Sequence, residues 1–401
     1  MVDAHRKRSR GGWWLVLAFV IGATAQAAEW SGYIAGETRL FPSPPRDDTQ
    51  HEENLSLSFQ AEFYHEWEER RESVLFVPFL RLDQHDAERT HADVRELYWQ
   101  KSAEEWELRL GIRKVYWGVT ESQHLVDIIN QTDMVENLDA EDKLGQLMLN
   151  YAWVQDWGTL DFFLLPGCRE RPMPGREGRL RAPYPIEFDD AEYESGAAEW
   201  HTDWAIRWSR FIGQWDLGLS HFSGTSREPR LLPRIRDGHI RLIPYYDQIN
   251  QTGLDVQWTH GSWLWKLETI HRSGQKRTYT ALTAGLEYTL YGIFESNIDM
   301  GLIFEYLYDS RGDEASTPFE NDLFFGTRFS FNDVQTTNIL AGAIVDGDSG
   351  AVIFGLEAQR RLGQAWKLSV ESRIFAGIPP SDVGNYFRKD DLIQIELAWY
   401  F

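Results

Sequence analysis

The sequence predicts an all-β chain folded as a closed antiparallel transmembrane β-barrel of about 18 strands (16–18). Three observations predict it. Runs of residues alternate apolar and polar with period two, which is the signature of a strand with one apolar and one wetter face. The connections between runs alternate between short and long, as in membrane barrels with short periplasmic turns and long extracellular loops. Aromatic residues, 14 % of the chain with 18 Trp, cluster beside the short turns, where an interfacial girdle belongs.

Taken in order, the chain opens with "MVDAHRKRSRGGWWLVLAFVIGATAQAAEW". Arg6, Lys7, Arg8 and Arg10 precede an apolar stretch, Trp13 to Ile21, and Ala25-Gln26-Ala27 forms a small-residue cleavage site. This pattern predicts a cleaved signal peptide over 1–27 and a single barrel domain over 28–401. No later segment has the roughly 20 consecutive apolar residues that a helical span needs. Residues 1–27 carry a net +3, so the formal charge of −22 becomes −25 without them, which argues against general nucleic-acid binding. The lone Cys168 excludes an internal disulfide, and no zinc-ligand spacing occurs.

Alternating runs then fall at 29–41, 53–66, 73–84, 92–101, 104–117, 145–155, 158–165, 199–210, 213–223, 248–259, 262–272, 278–290, 296–308, 321–331, 335–345, 350–361, 364–376 and 391–401. In the second, Leu55, Leu57 and Phe59 oppose Ser56, Ser58 and Gln60; in the sixteenth, Val352, Phe354 and Leu356 oppose Glu357 and Gln359. The third is ambiguous, because "SVLFVPFLRL" is apolar on both faces. The last, "LIQIELAWYF", puts Ile393, Ile395, Leu397, Trp399 and Phe401 on one face. A bare terminal strand is an aggregation hazard unless it is paired, so it is expected to close the barrel against 29–41. Trp67, Trp99, Trp106, Trp153, Trp157, Trp208, Trp215, Trp258, Trp263 and Trp366 sit beside short turns, level with Trp30 and Trp399.

The stretch "WELRLGIRKVYWGVTESQHLVDIINQTDMVENLDAEDKLGQLMLNY" and the following "LDFFLLPGCRERPMP" resemble a poorly characterised porin-like outer-membrane family of Gram-negative bacteria. Its members carry a similar "LRLG…WG…LDVVNP.D" stretch. Arg109, Leu110 and Gly111 match the strand; Trp117 and Gly118 match its exit; Asp127, Ile129, Asn130 and Asp133 match the loop. Gln131 stands where the family has Pro. The likeness covers mainly 106–172 and implies a porin-like channel in the bacterial outer membrane, without naming a solute. The terminal strand, ending Trp399-Tyr400-Phe401, likewise resembles the signal that the barrel-assembly machinery reads.

A barrel of this strand number has a lumen too wide for side chains to fill. The third long loop, 118–144, holds Glu121, Asp127, Asp133 and Glu136 among its acids. Folded inward, it would face inward-pointing Arg39, Arg81, Arg109, Arg113 and Arg207, with Arg328 and Arg373 further round, and form a pore constriction with a transverse field. Left outside, it would simply be solvated or meet lipopolysaccharide. Two other loops carry Arg169, Arg171, Arg176, Arg179 and Arg181, and Arg227, Arg230, Arg234, Arg236 and Arg241. These are candidate patches for anionic solutes or lipopolysaccharide phosphates. The expected partners are therefore outer-membrane lipids, the assembly machinery and small polar solutes, with no cofactor, metal or nucleic acid.

An enzyme is not expected. His201, Asp203, Arg207 and Ser209 share a strand, and His221 lies two residues from Ser223. Neither set brings an oxyanion donor, and no G-x-S-x-G occurs. A structural or adhesive barrel without transport is the other alternative; its mark would be a filled lumen. The first run begins so close to the cleavage site that no N-terminal plug domain is expected.

Overall fold

The computed structural model describes residues 28–401 except Ser381; the expected signal peptide, 1–27, lies outside the described residues. The strands in chain order are β1 (Glu29–Leu40), β2 (Glu53–Trp67), β3 (Glu72–Asp83), β4 (His91–Ser102), β5 (Trp106–Arg113), β6 (Gln146–Gln155) and β7 (Gly158–Pro166). A two-residue strand in a loop, β8 (Glu192–Tyr193), precedes β9 (Thr202–Ile212) and β10 (Trp215–Thr225). A loop hairpin, β11 (Arg230–Arg236) and β12 (His239–Tyr246), precedes β13 (Gln248–His260), β14 (Trp263–Ser273) and β15 (Tyr279–Leu290). The remainder are β16 (Asp299–Asp309), β17 (Asn321–Ser330), β18 (Asn338–Asp346), β19 (Val352–Leu362), β20 (Trp366–Ala376) and β21 (Leu392–Tyr400). Helical structure among the described residues is limited to short 3₁₀ turns.

Eighteen of these strands form one antiparallel sheet, each paired with the next. The ring closes where β1 meets β21, in register from Tyr33↔Tyr400 to Leu40↔Ile393. Beyond the last strand, Gly32 and Phe401 exchange two further backbone bonds of 3.2 and 3.0 Å. A Cβ on Gly32 would lie 2.4 Å from the Gln60 carbonyl oxygen and 2.7 Å from the Phe401 ring, so the seam closes over a residue without a side chain. Closure removes the edges that an open sheet would leave unpaired.

Period two sets the faces. On β21, Ile393, Ile395, Leu397 and Trp399 point outward, each 37–41 % exposed, whereas Leu392 and Ala398 are buried inward. The outside is thus an apolar band, and the buried polar residues Glu37, Ser58, Arg81, Glu268 and Glu305 point into the lumen. Where strands meet short turns, aromatic rings touch: Trp215 and Trp258 at 5.6 Å, Trp263 and Tyr288 at 4.5 Å, and Trp399 and Phe401 at 5.6 Å. These features are those of a membrane-embedded barrel.

Three expectations need correction. The run 104–117 is a strand only to Arg113; beyond it the backbone leaves the wall, because Asn130 binds Val115 N–H and the Arg113 carbonyl. The run 199–210 starts at Thr202, since 198–200 form a 3₁₀ turn. The segment 224–247, read as plain loop, contains the β11–β12 hairpin, with β8 added in parallel. The two-faced β3 is also explained: the register shifts between Val77 and Pro78, and buried Phe79 serves as a platform for the Arg95 guanidinium, 4.2 Å above its ring.

The outward register makes a direct prediction. Leu356→Arg should destabilise the barrel by roughly 2–4 kcal/mol near the bilayer midplane, whereas Glu357→Arg, one residue along and facing the lumen, should cost little. Denaturant titration in lipid vesicles checks this; equal costs would move the strand by one residue.

Candidate functional site: the lumenal loop

Residues 114–145, between β5 and β6, fold into the barrel. Such a loop brings backbone N–H groups with no ladder to pair with, and each needs an acceptor. The wall supplies carboxylates, which take several donors at once. Glu268 on β14 accepts from Val119 N–H (2.6 Å), Thr120 N–H (3.0 Å), the Thr120 hydroxyl (2.7 Å) and Val126 N–H (3.1 Å). Glu305 on β16 accepts from Glu121 N–H (2.8 Å), Ser122 N–H (2.8 Å) and the Ser122 hydroxyl (2.6 Å). Both wall carboxylates are fully buried.

The loop also braces itself. Asp127 accepts from Trp117 N–H (2.6 Å) and Gly118 N–H (3.0 Å). Asn130 accepts from Val115 N–H (2.8 Å) and donates to the carbonyls of Arg113 (2.8 Å) and Leu144 (2.9 Å), tying the two ends of the loop together. Val126, Ile128 and Ile129 are buried with Trp117 against inward Met148, Phe163 and Phe222. At about 1.5–3 kcal/mol for each fully buried aliphatic side chain, this packing holds the loop as firmly as its hydrogen bonds do.

The tip reaches the opposite wall. Arg81 grips Glu136 through Nε (3.0 Å) and Nη2 (2.7 Å), and Arg39 Nη2 donates to the Glu136 carbonyl (2.5 Å). Arg95 pairs with Asp133 at 2.6 Å, and Arg89 Nε donates to the Val135 carbonyl at 2.9 Å. Asn137 donates to Glu371 (3.0 Å), and Arg373 donates to Asp139 (2.8 Å). On the other bank, Glu121 pairs with Arg328 (2.6 Å) and Lys266 (3.7 Å).

The expected constriction residues are therefore only partly brought together. Arg39, Arg81 and Glu136 meet. Asp127 is spent inside the loop. Arg109 and Arg113 both donate to Asn150 on the wall (3.2 and 3.0 Å). Arg207 pairs with Asp255 (2.5 and 2.8 Å) under the Trp117 ring. Glu268, Glu305, Arg89 and Arg95 join the site without a mark in the sequence: a lumen-facing Glu carries nothing that says it holds a loop. His91, Asp133 and Glu136 each place a ligand atom within 4.8 Å of the others. Arg81 and Arg95 already neutralise the two carboxylates, so the trio is better suited to ion pairing than to holding a cation.

The basic outer loops are also paired. Arg179 binds Asp390 (2.6 Å) and the carbonyls of Ser43 and Lys389, tying loop 167–201 across the mouth. Arg181 pairs with Asp47, Arg227 with Asp203, and Arg230 with Asp247. Asp203 also accepts from Thr225 N–H and contacts His201, so it serves as a strut. Ser209, six residues along the same strand, is about 20 Å from it, and outward-facing His221 contacts Trp204 and Thr252. No nucleophile–base set forms at either place.

The lumen that remains is one-sided. Inward Phe222, Asp255 and Thr283 are 0–2 % exposed on the filled side, whereas the Arg328 side chain is 38 % exposed and Glu357 is open to water. The water-facing stretch on β17–β19 where these two side chains lie forms a crescent beside the loop.

No family model and no curated protein matches this chain. Among solved structures, it aligns with an engineered protein described for asymmetric conductivity (TM-score 0.45, 10 % identity) and with mutants of the Rh. blastica porin (TM-score 0.44, 10 % identity). Each alignment covers 94 % of this chain and 100 % of the other.

Two predictions follow from the anchors. Glu268→Ala strips four donors of their acceptor, at roughly 1–3 kcal/mol for each buried donor left unmade. Hydrogen exchange at Val119, Thr120 and Val126 should accelerate while the strand amides stay protected; unchanged protection would show that packing alone holds the loop. The second concerns pH. Enclosure by the barrel, with Asp139 nearby, pushes Glu141 up to about 7 and Asp142 up to about 6. Burial disfavours charged His124, but Glu268 beside it holds its pKa above the ordinary value. All three pKa values are raised on docking, so their contribution is full below the unfolded values and is lost as pH rises through the folded ones. Arg81 and Arg89 lower the Glu136 pKa against its burial, so that residue's contribution is lost only at more acidic pH. Protection factors for 137–144 should therefore fall between pH 5 and pH 8; a rise would reverse the sign assigned to Glu141.

Proposed function

We propose that this chain is a porin-like channel of a Gram-negative outer membrane that lets small polar or charged solutes diffuse passively. The observation that carries the reading is the one-sided lumen: an inward loop strung from β14 and β16 across to β1, β3 and β20 narrows the bore and leaves a water-facing crescent beside it. In this reading the short turns face the periplasm, the long loops face outward, and the loop 114–145 sets the constriction. The aromatic end of β21, Trp399 to Phe401, is the segment offered to the barrel-assembly machinery, and exposed loop arginines such as Arg176 are offered to lipopolysaccharide phosphates.

The extensive bracing of loop and mouth favours a second reading, a structural or adhesive barrel without transport. Planar-bilayer recording distinguishes the two. Steady single-channel steps are expected, and deletion of 121–142 should raise the conductance. A folded, heat-modifiable protein that gives no steps would favour the non-transport barrel, and unchanged conductance after the deletion would place the constriction elsewhere.

A further inference from the structure

We propose that the crescent selects for cations, with Glu357 and Glu371 as the residues that set the preference; this deepens the channel reading and rests on it. The argument begins with what each charge along the open side touches. Arg328 is bound to Glu121 at 2.6 Å and approaches Glu287 at 3.9 Å, and Arg373 is bound to Asp139 at 2.8 Å. The guanidinium charges at the level of the loop are thus matched by carboxylates. Glu357 and Glu371 are left over. They stand directly opposite each other on β19 and β20. Glu371 accepts only the Asn137 amide, at 3.0 Å, and Glu357 makes no hydrogen bond or ion pair among the described residues.

Two like charges facing each other across a strand pair are destabilising. Several other carboxylates of the lumen are answered by a guanidinium: Asp255 by Arg207, Glu136 by Arg81, Asp203 by Arg227. The Glu357–Glu371 pair lies where side chains meet water, and there the counter-charge available is a mobile cation from solution. Loop residue Glu141 crowds the same place: Asp139 and Glu357 both act on it, and together with enclosure they push it up to about 7. Beyond Arg373, which is bound to Asp139, the nearest inward cations on this wall, Arg361 and Lys367, also face each other. Arg361 lies four residues beyond Glu357, about 13 Å towards the short-turn rim. That exceeds a Debye length of about 8–10 Å at physiological salt, so these two govern the mouth and the carboxylates govern the narrow level. A path lined by surplus negative charge at low-dielectric walls concentrates cations and repels anions.

The test is the reversal potential of the full chain, expressed, purified from membranes and placed in a planar bilayer under a tenfold KCl gradient. The sign should favour K⁺. The double variant Glu357→Gln, Glu371→Gln should lower the K⁺/Cl⁻ permeability ratio roughly two- to threefold. Arg373→Gln, which frees Asp139, should raise it; this second variant keeps the proposal testable if the double variant does not assemble. Preference for Cl⁻, or an unaltered ratio in variants that still give wild-type steps, would overturn the proposal while leaving the channel reading intact. Absence of any steps in the parent protein would overturn the channel reading and this inference with it.

Discussion

A loop inside a barrel is governed by its backbone N–H groups. It has no neighbouring strand to receive them, and it lies against a wall of side chains. Here the wall answers with two buried carboxylates. Glu268 and Glu305 collect seven donors between them, so a stretch without regular structure is held as firmly as a strand. Position follows from this: with 119–126 fixed to β14 and β16, the apolar side chains of the loop are delivered to the filled half of the lumen. The tip is delivered to β1, β3 and β20, and the open crescent is what is left.

Arginine takes the complementary part. The chain is strongly acidic, yet most of its inward and loop arginines have a carboxylate or several carbonyls within reach. Arg81 spans Glu136, Glu37 and Ser56; Arg179 joins three loops. The planar fork binds more than one acceptor without losing its orientation, which a lysine ammonium does not do. Positive charge in this protein is mostly used as bracing, and the net negative charge is left to water.

Much of the fold was legible. Period-two alternation located all eighteen barrel strands, because an outer face against lipid and an inner face against water impose that pattern on every strand. The closing of β1 on β21 followed from a terminal strand that needed a partner. The loop was legible as a unit: Asp127, Asn130 and Asp133, the residues that carried the family likeness, are those that cap its entry, tie its ends and pair with Arg95. What the loop docks on was not. An inward Glu that anchors a backbone looks the same in sequence as one that lines a channel, and Arg109, Arg113 and Arg207 look like a basic wall until their local partners are seen. The β11–β12 hairpin also carries a mark in sequence: Asp237-Gly238, both with positive φ, is a strong two-residue turn signal, set among arginines that blur the alternation of its strands.

The anchors of the loop also impose an order on assembly. The loop, 114–145, lies early in the chain of 401 residues, but its acceptors Glu268, Glu305 and Glu371 come much later. Until β14, β16 and β20 are in place, the amides at 119–122 have only water or a chaperone to pair with. Contacts of such long sequence separation form late, because the chain between them must first be brought together. The loop is therefore seated only as the later strands arrive, so closing the seam and docking the loop are successive parts of one folding event.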